Sequence, residues 1–379
     1  MKKRKHLKIY IILISLLIIL NLAAWLGPTL GSITGVNWCD VYTEKIFPLW
    51  LNSYGRFTAL FDFSFGEILL ILGIIILLLS ILFAIALIFL RKKKKLMDFA
   101  KKYYVVFAYA VIAVCFIMTL NCVILYHCTY MDANPEAEEK DYKIFELEIL
   151  RDYVVEQCNE YSGKFSRDDN GSIIYDGDLQ EEAKKAMLNI SDRYPKLAGF
   201  YPDVKSLKMS NLMSQMGMLG YYFPFSLEAN CNGICYITNY PSTYCHELSH
   251  LHGYIYEDEA NFIAFVACTE SEDVFFQYCG WLSVLYYVDN AYWESIEENA
   301  AYYEARPNWN DTVDYDETFL VPEVWEEVDE EAIIPTGVVS AAASDFTEAS
   351  LKVNGVSDGL AAYDRVVELL LQYYDGVLY

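Results

Sequence analysis

Residues 242–261 read STYCHELSHLHGYIYEDEAN, and this stretch decides the fold that we expect for the larger part of the chain. It contains the pattern H-E-x-x-H as His246, Glu247 and His250. On an α-helix, residues four apart lie on one face, so both imidazoles can reach one metal ion. Glu247 projects beside them and can accept a proton from a metal-bound water molecule. The pattern predicts a catalytic zinc site on a helix that begins near Pro241.

A catalytic zinc ion needs a third protein ligand and an open coordination position. Glu257 lies seven residues past His250, after the helix-breaking Gly253. If a second helix spans residues 257–271, Glu257 is in its first turn and Asn261 is one turn further along on the same face. Glu257 can then bind the metal while Asn261 holds the ring N–H of a ligand histidine, as groups behind metal ligands commonly do.

Four neighbouring residues have weaker claims to a ligand role. Glu259 would point about 160° away from Glu257, given ~100° per residue, and is the alternative third ligand. Asp258 is interpreted as a solvated acid that the helix dipole favours. His252 lies off the ligand face and is interpreted as an ordinary exposed or hydrogen-bonded histidine. Cys245 faces about 100° away from the first histidine, which makes it a poor ligand.

Three apolar runs without charged residues occupy the first third of the chain, at residues 9–26, 68–90 and 103–126. A helix needs roughly 20 apolar residues to cross a bilayer, and lipid offers the backbone no hydrogen-bonding partner. We therefore predict that residues 1–126 are a membrane anchor of three transmembrane helices in contact with the lipid bilayer. The first run also fits a signal peptide, although it exceeds the usual core of about 7–15 residues and no A-x-A site follows.

Lysine and arginine flank these runs unevenly. Residues 1–8 carry five and residues 91–102 carry seven, whereas residues 27–67 carry two. Because cytoplasmic loops are rich in basic residues, we predict a multi-pass cell-membrane protein with a cytoplasmic N-terminus and an extracytoplasmic C-terminal region. From residue 127 onward the chain has 14 basic and 47 acidic side chains, a local net charge of −33. Such a surface repels nucleic acid, which excludes it as a partner.

Residues 127–379 are expected to form one extracytoplasmic domain, which a polar linker at 127–141 connects to the anchor. The acidic stretch at 307–330 is interpreted as a loop. Asn-Gly within residues 227–239 indicates a β-hairpin. Helical periodicity predicts helices over residues 142–161, 179–194, 241–253, 257–271, 274–287 and 359–374.

Eight cysteines lie in the parts of the chain assigned to the outer side, and an even number permits disulfides without specifying them. Cys231 and Cys235 form a C-x₃-C pair. This pair fits a metal site, a hairpin disulfide or two ordinary thiols, but no second pair follows at zinc-finger spacing.

H-E-x-x-H followed by E-x-x-A-[DN] resembles the gluzincin pattern of zinc metallopeptidases, here as residues 246–250 and 257–261. The short spacing between the two motifs adds a second resemblance. In this spacing, in the segment YFPFSLEA at residues 222–229 and in the ending at 354–369, the chain is similar to the bacterial membrane family called domain of unknown function 3810 (DUF3810). The N-terminal apolar helices fit this family too.

This resemblance implies an α+β, mainly α, zincin-like fold behind the three transmembrane helices, with a predicted peptidase activity. It implies His246, His250 and Glu257 as ligands of Zn²⁺ and Glu247 as the general base. The chain departs from the commoner gluzincin pattern in having Asn261 where aspartate is usual. An asparagine carbonyl still orients a histidine, but it carries no charge and leaves that imidazole a weaker base.

The function predicted from these features is zinc-dependent hydrolysis of peptide bonds in a peptide or protein substrate outside the membrane. In zincins an extended substrate adds to an edge strand before the active-site helix, which places it within residues 227–239. A further donor is needed for the oxyanion, and the candidates are Tyr363, Arg365 and the tyrosines of residues 286–292.

Two other classes of function are alternatives to the peptidase. The alternative is a non-catalytic extracellular binding or sensor domain, which zinc stabilises through a fourth ligand such as His252 or Cys245. A transporter or channel is disfavoured, because Asn21 and Asn121 are the only strongly polar residues in the membrane runs.

Overall fold

The structure is a computed structural model, and it describes residues 2–90, 92–133, 142–354 and 365–379. It divides into two compact units. The first unit comprises Met1–Thr129 together with Phe223–Glu228, and the second comprises Tyr130–Tyr222 together with Ala229–Tyr379. Most of the described residues are helical, and the only sheet among them has three short strands.

The first unit consists of three long apolar helices and a group of short helices between the first two. Its elements are α1 (Lys2–Thr34), α2 (Trp38–Lys45), α3 (Phe47–Trp50), a π-helical turn (Leu51–Gly55), α4 (Arg56–Thr58), α5 (Phe65–Leu90), α6 (Lys94–Met118), a second π-helical turn (Thr119–Val123) and a 3₁₀ turn (Leu125–His127).

Three helical stretches of the first unit are long and apolar enough to cross a membrane: His6–Thr34, Phe65–Leu90 and Lys94–Val123. The prediction of three apolar helices is therefore confirmed, and it marks the chain as a membrane protein. Each helix is longer than the uncharged run that predicted it, because the helix continues into polar flanking residues. Their side chains are mostly exposed, as expected of helices that are apolar around their whole circumference and face lipid.

The segment Phe223–Glu228 contributes to the first unit although it is distant in sequence. Glu228 is buried, and its carboxylate accepts hydrogen bonds from the N–H groups of Phe65 (3.0 Å) and Gly66 (2.6 Å). These N–H groups lie in the first turn of α5, where a helix has unpaired donors and a positive dipole end. Glu228 therefore caps the second long helix.

The second unit contains the remaining elements. They are α7 (Ile144–Ser162), α8 (Leu179–Asn189), a 3₁₀ turn (Pro195–Leu197), β1 (Lys205–Ser206), α9 (Ser210–Gln215), β2 (Gly220–Phe223), β3 (Glu228–Cys231), α10 (Asn239–Leu251), α11 (Glu257–Thr269), α12 (Val274–Ser295), α13 (Ala300–Tyr303), α14 (Asp311–Asp316), α15 (Pro322–Glu331), α16 (Thr336–Val353) and α17 (Val366–Tyr374), with the ends of β2 and β3 reaching into the first unit.

Helix α11 lies at the centre of the second unit and packs against α8, α10, α12 and α17. Every residue from Phe262 to Cys268 is buried, so this helix is apolar around its whole circumference beyond its first turn. Such a pattern is typical of a helix surrounded by other helices. The acidic first turn of α11 is thereby held in a rigid place, next to the neighbouring helix α10.

The predicted hairpin at residues 227–239 is wrong. The strand order is β1-β3-β2, so β3 pairs with the upstream strand β2 and with β1, to which it is parallel. No strand follows Asn232-Gly233 among the described residues before α10. Instead Cys235 packs with Leu320 and Val328, and the N–H of Tyr236 donates to Phe319. The β-prone run therefore packs against the region around α15 rather than forming a strand.

The acidic stretch at residues 307–330 is also not a simple loop, because it contains α14 and α15. Asn310 caps α14 by accepting from Thr312 and Val313, and Pro322 occupies the first turn of α15. The pattern of apolar residues did not predict α16 either.

The other predicted helices are present, with shifted ends. Helix α8 stops at Asn189 and α12 continues to Ser295. The last helix begins at Val366, and residues 359–364 of its prediction lie outside the described residues. All ten cysteines are free thiols, Cys231 and Cys235 included, and nine of them are buried.

Arg151 on α7 is almost completely buried and ties α7 to α12. Its Nε atom donates to Asp289 at 2.9 Å, and its guanidinium lies 5.2 Å from the ring centre of Tyr303. Removing one partner of a buried ion pair leaves an uncompensated charge, so we expect Arg151→Ala to lower the free energy of unfolding by about 3–5 kcal/mol. Thermal unfolding of the whole chain in detergent measures this. Lys185→Ala, which removes an exposed ion pair with Glu182, serves as the control and should leave the melting temperature unchanged.

Candidate metal centre

The turn between α10 and α11 brings the two motifs of the sequence together. Helix α10 ends at Leu251, and Gly253 adopts a φ of 91°, a left-handed conformation that favours glycine. The chain then reverses, and the carbonyl of Tyr254 comes within 2.7 Å of Nδ1 of His250. Helix α11 starts at Glu257, beside the last two turns of α10.

Three side-chain atoms converge between the two helices. Nε2 of His246 lies 3.1 Å from Oε2 of Glu257, and Nε2 of His250 lies 3.7 Å from the same oxygen. The two imidazole rings are 4.7 Å apart and nearly perpendicular. Behind them, Nδ1 of His246 lies 2.8 Å from Oδ1 of Asn261. The structure thus brings His246, His250, Glu257 and Asn261 into one cluster.

The hydrogen bonds behind the rings determine what the converging atoms carry. A backbone carbonyl only accepts, so Nδ1 of His250 must carry the proton that it donates to Tyr254. In the neutral imidazole Nε2 of His250 then has a lone pair that faces Glu257. The same holds for His246 when its Nδ1 donates to the carbonyl oxygen of Asn261. Two nitrogen lone pairs and one carboxylate oxygen face each other, which is stable only with a positive charge between them.

The pKa values of the two histidines and Glu257 also indicate that a positive charge is needed between these groups. Burial lowers the pKa of His250, but its contact with Glu257 outweighs burial and raises that pKa to about 9. Burial raises the pKa of Glu257, yet its contacts with the two histidines outweigh burial and hold the pKa below its ordinary value. Burial also lowers the pKa of His246. A proton shared between His250 and Glu257 can supply the positive charge, and so can a metal cation.

Glu247 stands beside this cluster and is buried. It also belongs to a group of three that could hold a metal ion, since one oxygen of Glu247 and one nitrogen each of His246 and His250 lie within 4.8 Å of one another. Its Oε2 atom has no hydrogen-bond partner in the described structure. Burial raises the pKa of Glu247 to about 8. Of the two carboxylates, Glu257 has the contacts within 4.0 Å of both histidine nitrogens, at 3.1 and 3.7 Å.

Glu259 and Asp258 face away from the cluster. Glu259 is buried and accepts a hydrogen bond from the N–H of Met131 at 2.6 Å, and burial raises its pKa to about 7. Asp258 is buried rather than solvated and lies 3.3 Å from Nε of Arg365. The structure therefore offers Glu257, and not Glu259, as the carboxylate that meets the two histidines.

The two residues considered as a fourth ligand are engaged elsewhere. His252 is buried, its Nδ1 lies 2.8 Å from the carbonyl of Lys196, and its ring stacks on Tyr201 at 4.2 Å. Cys245 is buried with its Sγ atom 3.8 Å from that of Cys268. Neither side chain points at the converging atoms.

Three of the residues considered for an oxyanion have partners away from the converging atoms. Arg365 pairs with Asp258, the hydroxyl of Tyr292 is directed at Glu148, and the ring of Tyr286 contacts Trp309. Tyr363 lies outside the described residues.

Sequence analysis missed two residues that lie against the cluster. Gly220 is so close to Glu247 that a Cβ atom there would lie 2.7 Å from Cγ of the glutamate. The ring of Tyr222 lies 5.9 Å from the ring of His250. Both residues belong to β2, and a glycine directly before a β-prone aromatic run was the available clue, because glycine in a strand often marks a close approach.

Comparison with known proteins adds one finding. The family model described as "Protein of unknown function (DUF3810)" matches residues 42–371. The chain belongs to the DUF3810 family. No curated protein and no solved structure matches it. The match begins after α1, and it covers the rest of the first unit and the second unit as far as residue 371.

Asn261 allows a test of this centre within the DUF3810 chain. Loss of a hydrogen bond behind a metal ligand typically costs 10–100-fold in affinity, so we expect Asn261→Ala to weaken metal binding by about that factor. Asn261→Asp should bind at least as tightly as the natural protein, because a carboxylate makes the imidazole more basic. Competition with a chelator measures both. Asn211→Ala, which removes an exposed contact with Glu331, is the control. Equal affinities for all four proteins would refute the role of Asn261.

Proposed function

We propose that this protein is a membrane-anchored zinc metallopeptidase of zincin-like architecture that cleaves peptide bonds in peptide or protein substrates. The observation that carries the proposal is the convergence of two imidazole nitrogens and one carboxylate oxygen beside a second, buried carboxylate, Glu247, whose Oε2 atom has no hydrogen-bond partner in the described structure. Three protein ligands with one open position are typical of catalytic zinc sites, whereas structural sites are closed by four.

The residues present fit a zinc ion. Zinc binds nitrogen and carboxylate oxygen at roughly 2.0–2.2 Å, and a tetrahedral site then separates neighbouring ligand atoms by roughly 3.3 Å. The contacts of Glu257 with His246 (3.1 Å) and His250 (3.7 Å) bracket that separation. A bound zinc ion would polarise a substrate carbonyl and make water a stronger nucleophile at neutral pH.

Each residue of the cluster has a role in that reaction. His246, His250 and Glu257 would hold the metal, and the hydrogen bonds of Asn261 and of the Tyr254 carbonyl orient both rings with Nε2 toward Glu257. Oε2 of Glu247 takes a proton from the attacking water as the water oxygen bonds to the carbonyl carbon of the substrate. Glu247 then gives this proton to the amine nitrogen as the C–N bond breaks. The raised pKa of Glu247 suits a group that both accepts and returns a proton near neutral pH.

Strand β2 is the edge to which we assign the substrate backbone. It lies at one side of the three-stranded sheet, and its residues Gly220 and Tyr222 lie against Glu247 and His250. An extended peptide that adds to such an edge gains main-chain hydrogen bonds. This assignment replaces the one made from sequence, which used residues 227–239.

We further propose that the second unit lies outside the cytoplasm. The support is the distribution of lysine and arginine, which are concentrated at the start of α1 and between α5 and α6. A protease added to intact cells should then remove the second unit while fragments that contain α1 stay protected. Protection of the whole chain would place the second unit inside.

Zinc content and peptide hydrolysis by the whole chain in detergent test the proposed activity. We expect about one zinc ion per chain and cleavage of a mixed peptide library that a chelator stops and zinc restores. Zinc without cleavage would favour the alternative, a zinc-stabilised binding or sensor domain. A folded protein that takes up no zinc would refute the proposal.

A further inference from the structure

The segment between α1 and α5 has an unusual surface. Helix α1 ends at Thr34 and α5 begins at Phe65, and both are long and apolar enough to span a bilayer. Two successive spans leave the chain between them on one side of the membrane. The connecting segment of 30 residues therefore starts and ends at the same bilayer surface.

Residues 46–63 of this segment, which we call the connecting segment's apolar stretch, are packed on one side. Phe47, Leu51, Gly55 and Thr58 are buried and recur every three or four residues, as expected where one face of a helix packs on its neighbours. Thr58 donates a hydrogen bond to the carbonyl of Ser226 within the first unit. Other residues of the first unit therefore pack against this face.

The rest of the stretch exposes large apolar side chains. Leu60 is 76% exposed and Leu49 is 64% exposed, which is unusual for leucine in a folded protein. Polar side chains lie among them, including the exposed Asn52 and Arg56, which are hydrogen-bonded to each other. The full set of exposed large apolar side chains is Ile46, Leu49, Trp50, Phe57, Leu60 and Phe63.

We propose that this exposed apolar face binds the interfacial region of the bilayer surface from which α1 and α5 emerge. A contiguous apolar patch of this kind costs free energy in water, roughly 25 cal/mol per Å². Lipid is the partner already in place, since the same chain crosses the bilayer on either side of the stretch. Its apolar side chains enter the acyl boundary while Asn52 and Arg56 remain among the headgroups.

The aromatic residues of the stretch agree with this partner. Trp50 buries its body against the bilayer and keeps Nε1 paired with the hydroxyl of Tyr42 at 3.1 Å. Tryptophan at the membrane–water boundary typically has one apolar and one polar end satisfied in this way. Phe57 and Phe63 extend the aromatic surface through ring contacts with Phe61 and Phe65. The spans and the stretch thus form one continuous lipid-facing surface.

Spin labels on the whole chain in phosphatidylcholine–phosphatidylglycerol vesicles test the proposal. Single cysteines at Leu49 and Leu60 are compared with one at Asn52, all in a Cys115→Ala background, because the other nine cysteines are buried. Oxygen concentrates among acyl chains, whereas a nickel chelate stays in water. We expect the ratio of oxygen to nickel collisions to be several-fold higher at positions 49 and 60 than at position 52.

Equal ratios at the three positions would place the stretch in water and overturn the proposal. Labels at positions 49 and 60 could instead be shielded from both reagents and show spin–spin broadening that disappears on dilution with unlabelled chain. That result would overturn the proposal and indicate that a second copy of the chain covers the stretch. A second measurement leaves the leucines intact. The fluorescence of Trp50 is the difference between the emission of the natural protein and that of Trp50→Phe. We expect lipids brominated near the carbonyl to quench this fluorescence, and absence of quenching would also contradict lipid contact.

Discussion

Glu247→Gln is expected to abolish peptide hydrolysis while zinc content stays at its natural level. Glutamine has almost the same shape as glutamate but cannot accept and return a proton, and general acid–base catalysis contributes about 10²–10⁴-fold to rate. Oε2 of Glu247 has no partner in the described structure, so the substitution breaks no hydrogen bond of that atom. The rate of cleavage of a fluorogenic peptide and the zinc content of the same sample measure the two effects.

The control is Glu272→Gln, which removes an exposed acid at the start of the loop before α12 and should cleave at the natural rate. Loss of zinc in Glu247→Gln would show that Glu247 is a ligand, as the grouping of its oxygen with the two histidines also permits. An unchanged rate with zinc retained would remove Glu247 from the mechanism.

Glu257→Gln is expected to cause the largest loss of metal. It takes the negative charge from the carboxylate that lies 3.1 and 3.7 Å from the two histidine nitrogens. The loss of affinity should exceed the roughly 10–100-fold that follows when a group behind a ligand is removed. Metal content after dialysis against a weak chelator measures it, and hydrolysis should disappear in parallel.

Glu259→Gln provides a matched comparison, because it makes the same change two residues away on the same helix. A glutamine there can still accept the N–H of Met131, so we expect natural zinc content and activity. The reverse result, with zinc lost in Glu259→Gln and kept in Glu257→Gln, would make Glu259 the ligand. It would also mean that the first turn of α11 is rotated in the metal-bound protein.

Short-range spacing explains why the cluster could be predicted. His246 and His250 are one helical turn apart, and Glu257 and Asn261 are one turn apart on the next helix, so each pair follows from helix geometry alone. A short connection that contains Gly253 leaves the two helices as neighbours. The three apolar helices follow from composition for the same reason, since length and absence of charge are local properties.

Contacts between distant segments explain what could not be predicted. Strand β3 pairs with β1 and β2. The run at residues 234–238 packs near α15 instead of forming a strand, and no local sequence pattern predicts this packing. Gly220 lies against Glu247 across 27 positions of sequence, and its role is visible only once the strand and the helix are adjacent. Asp258 looked like a solvated acid, because its half-buried partner Arg365 lies far along the chain.

The capping of α5 by Glu228 has a consequence for how the protein is made. The first unit needs the segment Phe223–Glu228, which leaves the ribosome well after the three apolar helices have been synthesised. Domains usually fold as they emerge, the N-terminal one first. Until Glu228 has been translated, Ser64 accepts from the N–H of Glu67, but the N–H groups of Phe65 and Gly66 lack the carboxylate to which they donate. We therefore expect the first unit to complete its packing only after the segment Phe223–Glu228 has been synthesised.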